Sequence, residues 1–220
     1  RYQLFRRFDS GILLDTESWF SVTPEAVAAH VAARCYHSLT SSHAKSRPLT
    51  VLDAFCGSGG NTIQFGQVFD HVLAVDIDFV KLQCAQFNST LYGTSHKTSF
   101  IMQDFFQLHK MLDVVERGID LVFMSPPWGG VDYFHRRETD LSELPLDTFR
   151  LFLYCVQELR CRNLVFFLPR NSNLEQVAYM AGVGGRVEIE QNFLGHKFVA
   201  ISAYFGELVE KDERKFAEKI

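Results

Sequence analysis

A strand-length apolar run that opens straight into a cluster of glycines leaves a chain few architectures. Leu49-Thr50-Val51-Leu52-Asp53-Ala54-Phe55 has the composition of a buried strand, and Cys56-Gly57-Ser58-Gly59-Gly60-Asn61 separates it from Thr62-Ile63-Gln64-Phe65, which starts a helix. Glycines let a ligand approach the backbone, and Asp53 at the strand end can engage its polar groups. A second run, His71 to Val75, ends in Asp76-Ile77-Asp78. That acid falls about twenty residues beyond the first glycine, where open α/β sheets hold the hydroxyls of a ribose. Together the two features point to an adenosine-containing cofactor.

The alternation continues. Residues 79–91 carry Val80, Cys84, Phe87 and Leu91 at helical spacing, and Tyr92-Gly93 ends that helix. Ser99 to Met102 is a third strand, ending in Gln103-Asp104-Phe105, an acid and an aromatic suited to an adenine amino group and face. Residues 106–118 are expected to be helical. A fourth strand, Ile119 to Met124, delivers Ser125-Pro126-Pro127-Trp128-Gly129-Gly130, so four successive strand ends place polar residues on one edge. Residues 132–144 are charged and aperiodic, a rim or short lid in which His135, Arg136 and Arg137 should be solvated. A helix over 146–160, a fifth strand over 163–168 ending in Pro169-Arg170-Asn171, a short helix over 174–181 and a Gly182-Val183-Gly184-Gly185 turn follow. Residues 186–192 and 198–205 alternate like an antiparallel pair. The fold class is α/β: a doubly wound, mostly parallel, Rossmann-like sheet of seven strands with a final antiparallel pair.

Ahead of the sheet, Tyr2, Phe5, Arg6, Arg7, Phe8, the Asp9-Ser10-Gly11 turn and Trp19-Phe20 form an aromatic and basic arm. It reads either as a cover contacting an anionic ligand or as a hydrophobic extension with solvated arginines. Thr23-Pro24-Glu25 starts a helix with Val27, Val31 and Cys35 on its apolar face, running to about His37, and residues 38–48 form a surface loop. His30 and His37 have no partners at metal-ligand spacing, and no metal is expected. The expected units are 1–48 (arm, helix and loop over the active edge), 49–206 (core) and 207–220 (a charged, frayed tail).

Composition narrows the partners. With 220 residues, 47% of them hydrophobic, the chain can build one sizeable domain with an appendage. Its formal net charge of -4 provides no global field to grip a long duplex, so any nucleic acid must be held locally. The 5 cysteines show no CxxC spacing, which fits a reduced cytosol or nucleus. No signal peptide is evident, and no run reaches the roughly 20 apolar residues of a membrane span. The start at Arg1 rather than Met suggests a fragment of something longer.

The Ser125-to-Trp128 turn has chemistry of its own. An amino group conjugated to a ring has a delocalised lone pair, so it must be held by acceptors for its hydrogens before it can react. The Pro126 carbonyl, aimed by fixed φ angles, and the Ser125 hydroxyl are two such acceptors. The Trp128 face sets the plane of a stacked base, and gains on the order of 1–2 kcal/mol if that base is cationic. The same tetrapeptide is also an ordinary way to leave a strand. Arg170, likewise, reads either as a phosphate contact or as a salt bridge at the sheet rim.

Arg6 to Asp9, Trp19 to Glu25, Asp53 to Gly57 with Gly59 to Phe65, Ser125 to Gly130, Phe167 to Asn171 and Val187 to Leu194 together resemble the trimethylguanosine synthase family. These are the cap hypermethylases among class I S-adenosylmethionine-dependent methyltransferases. The similarity spans nearly the whole chain and departs at residues 38–48 and after Tyr133. It implies transfer of methyl groups from S-adenosylmethionine to N2 of a 7-methylguanosine cap, giving the 2,2,7-trimethylguanosine cap of small nuclear and nucleolar RNAs and S-adenosylhomocysteine. It further implies a cofactor site of Asp53, Ala54, Phe55, Gly57, Gly59, Asn61, Thr62, Asp76, Asp104, Phe105 and Ser125, with Asp76 on the ribose, Asp104 on the adenine and Asp53 near the amino-acid end. The implied cap contacts are Trp128, Arg170, Asn171, Phe8, Arg6 and Thr23, with Ser125, Pro126 and Trp128 as the catalytic group. A monomeric catalytic domain, without membrane contact, is expected in the nucleus and also the cytoplasm, with ribonucleoprotein partners reached through regions outside this chain. Methylation of another conjugated amine, adenine N6 or ribosomal guanine N2, and a non-catalytic cap-binding module are the alternatives.

Overall fold

Strands buried on both faces need helices on both sides, and three of the strands here have every residue buried: β1 (Thr50–Asp53), β4 (Leu121–Met124) and β5 (Leu164–Pro169). In the computed structural model, which describes residues 1–42, 47–111, 118–130 and 136–210, they lie at the centre of one seven-stranded sheet. With β2 (His71–Asp76), β3 (Thr98–Met102), β6 (Val187–Leu194) and β7 (Lys197–Phe205), the order is β3-β2-β1-β4-β5-β7-β6. β1 to β5 are parallel, and β7 runs antiparallel to both β5 and β6. This is the seven-stranded, mostly parallel sheet expected, closed by its antiparallel pair. Asp53 lies opposite Ala74 and Phe123, Asp76 opposite Met102, and Met124 opposite Phe166. The parallel strands therefore finish together, on one edge.

Among the described residues the α-helices are α1 (Ser18–Ser21), α2 (Glu25–Ser42), α3 (Gly60–Val68), α4 (Phe79–Tyr92), α5 (Thr148–Gln157) and α6 (Leu174–Met180). α2 and α3 cover one face, where Val31, Cys35, Phe65 and Phe69 meet Val51, Val72 and Phe123. α5 and α6 cover the other, where Leu151, Cys155 and Val177 meet Leu52, Val122 and Phe166. Side chains start several helices by accepting first-turn N–H groups: Asp78 for α4, Asp147 for α5 and Asn173 for α6.

Several expectations need correction. α2 continues to Ser42 rather than stopping near His37, since Leu39 is buried in the core and Thr40 bonds back to the Tyr36 carbonyl at 2.8 Å. The segment after Asp104 is a 3-10 helix, Phe105–Lys110, and residues 112–117 of the expected helix lie outside the described residues. Cys84 is buried as expected, but Val80 and Phe87 are exposed, and α4 buries Leu82, Ala85, Asn88 and Ser89 beside Cys84. The rim is tied from Arg136 onward by a Thr139–Ser172 bridge and the buried Leu141 and Leu144; His135 lies outside the described residues. Arg136 and Arg137 are exposed, as expected, and Arg136 pairs with the exposed Glu143 at 3.2 Å. The tail does not fray at Glu207, because Leu208 is buried against the α2 side of the core.

All five cysteines are free and buried. Among the described residues, no cluster could hold a metal ion, and no helix is long and apolar enough to cross a membrane.

Candidate active site

The glycine turn is built around two carboxylates. Asp53, fully buried at the end of β1, accepts the Thr62 hydroxyl at 2.6 Å on one oxygen, and its other oxygen is buried without a partner. Burial pushes its pKa up to about 7; the Thr62 hydrogen bond opposes this, and the nearby Asp76 charge adds to it. Asp76, at the end of β2, accepts the Gly57 N–H at 2.8 Å and the Asp78 N–H at 2.9 Å. Burial raises its pKa too, against those two hydrogen bonds. Gly57 has φ +52° and open space where a side chain would stand, whereas a Cβ on Gly59 would lie 3.0 Å from the Ala85 backbone. One glycine opens the turn and the other packs it on α4.

A buried carboxylate oxygen left unpaired costs on the order of 1–3 kcal/mol or more. Beside an open glycine turn, that cost is offset by a ligand bringing a cationic amine, and the amino-acid end of S-adenosylmethionine brings one. The residues present thus fit the cofactor. Asp76 ends β2 at this edge, and Phe55, half-buried, lies at the same edge.

The N-terminal arm lies across this turn. Phe5, Ile12 and Ile63 share a small core with Leu4, Phe8, Val22, Leu91 and Tyr92. The Ser58 hydroxyl reaches Ser18 at 2.7 Å, and Ser18 in turn donates to Asp15. Asn88, fully buried in α4, donates to the carbonyls of Leu13 (2.8 Å) and Ser58 (2.9 Å) and accepts the Leu13 N–H (2.8 Å). Glu25 accepts the Tyr92 hydroxyl at 2.6 Å and pairs with the Arg6 guanidinium at 3.3 Å. The arm is therefore packed across the turn by its hydrophobic residues, with the Arg6 side chain largely exposed, as the reading of a hydrophobic extension held.

Directly after β4, the proline turn presents Ser125 partly exposed and Pro126 buried. Neither the Ser125 hydroxyl nor the Pro126 carbonyl has a hydrogen-bond partner among the described residues. Trp128 is half-buried. Its indole N–H donates to the Phe167 carbonyl at 3.3 Å, and its ring stacks on Phe167 with centroids 5.8 Å apart and planes at 29°. The ring is fixed at the edge of the core before any ligand arrives.

Other expected residues have different positions. Phe105 is buried among Phe55, Phe106 and Tyr154, so its ring is a core side chain and not an adenine face. Asp104 accepts the Phe106 N–H at 2.9 Å and so caps the 3-10 helix as well as standing at the edge. Thr23 is buried and accepts the Asn61 amide at 2.9 Å, which makes this pair a clasp between arm and turn rather than a cap contact. Ala54 and Thr62 are buried within the turn. Asn171 donates to the Arg136 carbonyl at 2.8 Å and holds the rim. Arg170 donates to the Phe198 carbonyl at 3.3 Å. The Arg6 side chain stays largely exposed, and Phe8 packs on Trp19 with centroids 5.5 Å apart. Sequence reasoning missed Ile77, an apolar side chain 73% exposed between two acids just past β2, and Asn88, a polar residue on a buried helical face.

The parallel strand edge, the paired acids and the open glycine turn define a class I S-adenosylmethionine-dependent methyltransferase. The S-adenosylmethionine-dependent methyltransferase from Agrobacterium tumefaciens shares the fold, with a TM-score of 0.59 at 17% identity over 85% of this chain and 63% of that one. More narrowly, residues 49–208 match the family described as RNA cap guanine-N2 methyltransferase, and the chain belongs to that family. It is similar to the trimethylguanosine synthase of Schizosaccharomyces pombe, 36% identical over 93% of this chain and 82% of that protein. It is also similar to the trimethylguanosine synthase of Saccharomyces cerevisiae, 33% identical over 81% of this chain and 55% of that protein.

Proposed function

We propose that the chain converts a 7-methylguanosine cap to 2,2,7-trimethylguanosine on small nuclear and nucleolar RNAs in the nucleus, and that Ser125, Pro126 and Trp128 hold the reacting base. The observation that carries this reading is the pinned Trp128 ring beside two unengaged acceptors at the end of β4. A 7-methylguanine ring is cationic and gains more than guanine from an indole face. The Ser125 hydroxyl and the Pro126 carbonyl accept the two hydrogens of N2 and fix the amine in orientation.

S-adenosylmethionine, when bound, supplies a methyl group activated by a positively charged sulfur. Asp76 binds its ribose, Asp53 its ammonium group, and Asp104 with the exposed Ile77 the adenine. The chain's contribution to rate is positioning. N2 becomes acidic once alkylated, so its proton leaves to solvent and no strong base is required. A serine at position 125, shorter than an amide side chain, leaves room for an amine that already carries one methyl group. Arg170 and the exposed Arg6 meet the cap triphosphate.

Labelled cofactor offered with capped and uncapped RNA in parallel tests this. Label confined to capped RNA is expected; equal labelling of uncapped RNA contradicts the cap assignment and favours another conjugated amine.

A further inference from the structure

A second concave surface lies on the opposite edge of the sheet from the glycine turn. β5 starts there at Leu164 and β7 ends there at Phe205, which pairs with both Leu164 and Val187. The cavity, of about 520 Å³, has an apolar floor that includes Phe152, Val156 and Phe205, and its rim carries Arg162 and Arg186. Both arginines are exposed, and neither guanidinium has a hydrogen-bond or ion-pair partner among the described residues. Gly184 and Gly185 form part of the wall, where no side chain bars an approaching chain. Glu207 is the acidic residue in the lining.

This surface connects with the active edge. α6 begins just after the Asn171 end of β5 and leads, through Ala181, to the cavity wall. Its exposed side includes Leu174, 50% exposed, and Tyr179, 77% exposed, whose ring meets Phe149 edge-on at 5.9 Å. An exposed aromatic followed by two unpaired arginines is how proteins hold single-stranded nucleic acid: a ring for a base to stack on, and guanidinium groups for phosphates. A rise of about 3.3 Å for each of the six residues of β5 separates the two edges by about 20 Å, a span of several nucleotides.

We infer that the single-stranded body of the capped RNA runs along α6 from the active edge into this cavity, with a base on Tyr179 and phosphates on Arg186 and Arg162. The inference rests on the cap-methylating reading and adds to it a contact with RNA beyond the cap. It also fits a chain with a net charge of -4, which must grip RNA at local sites.

The test measures KM and kcat for the cap dinucleotide and for a capped, unstructured RNA of about twenty nucleotides, over a range of salt concentrations. The proteins compared are the wild type, the Arg162→Glu/Arg186→Glu variant and Tyr179→Ala. The wild type should have a lower KM for the long RNA than for the dinucleotide. The double variant should lose that advantage and lower the salt slope of long-RNA binding by about 1.4, two phosphates at about 0.7 each. Tyr179→Ala should raise the long-RNA KM about fivefold or more. In both variants, dinucleotide turnover should stay at the wild-type level. A wild type that treats both substrates alike, or a double variant that keeps the long-RNA advantage, overturns the inference and leaves the surface to a protein partner. A wild type that methylates neither substrate would instead overturn the cap reading itself.

Discussion

Asn88 donates its carboxamide to the Ser58 carbonyl at 2.9 Å, and this bond fastens α4 to the glycine turn at the point where the same side chain grips both backbone groups of Leu13. One buried amide thus joins arm, helix and cofactor turn. Asn88→Ala leaves three backbone groups without their partner, at on the order of 1–3 kcal/mol for each that stays buried. Urea denaturation should show the loss of stability, and calorimetry with S-adenosylhomocysteine a loss of affinity. Wild-type affinity in a folded Asn88→Ala protein would show that the arm and the turn are independent.

The pH behaviour of Asp53 has a definite sign. Its pKa in the folded chain, about 7, lies above the 3.8 of an unperturbed aspartate, so the folded state holds the proton more tightly. This group's stabilising contribution is present in full below about pH 4 and is lost as pH rises to about 7. A ligand ammonium needs the ionised form. S-adenosylhomocysteine affinity should therefore rise between about pH 6 and about pH 8, and Asp53→Asn should stabilise the ligand-free protein at the upper pH while abolishing that rise. Isothermal titrations in which both proteins show the same pH profile would remove Asp53 from the site.

Phe105 and Ile77 separate packing from binding. Phe105→Ala empties a buried aromatic position and should cost about 3–5 kcal/mol. Ile77→Ala removes an exposed side chain and should leave the melting temperature unchanged while raising KM for the cofactor. If Ile77→Ala leaves that KM unaltered, the adenine does not lie at the end of β2.

The sheet was legible because strand composition and turn chemistry agreed along the chain: the runs Leu49 to Phe55 and His71 to Val75 hold the strands Thr50–Asp53 and His71–Asp76, and the proline turn follows β4 directly. The acids at the strand ends were legible for the same reason. The buried side of α4 was not. Asn88, one of its buried polar residues, is satisfied by Leu13, 75 residues earlier, and by Ser58, and periodicity cannot register partners so distant in sequence. Thr23 and Asn171 misled in the opposite way, since polar residues beside a site can serve as internal fasteners. Phe105 follows an acid at a strand end, yet Tyr154, contributed by α5, draws its ring into the core.

The central claim is that the fixed indole of Trp128, beside Ser125 and Pro126, selects a positively charged guanine. Methyl transfer to RNA capped with 7-methylguanosine and to RNA capped with plain guanosine, measured for the wild type and for Trp128→Ala, tests it most directly. The wild type should prefer the methylated cap on the order of tenfold, as a desolvated cation–π contact allows. Trp128→Ala should lose that preference with most of its turnover, while binding S-adenosylhomocysteine normally. A Trp128→Ala protein that methylates the 7-methylguanosine cap at the wild-type rate, with its preference intact, would contradict the claim.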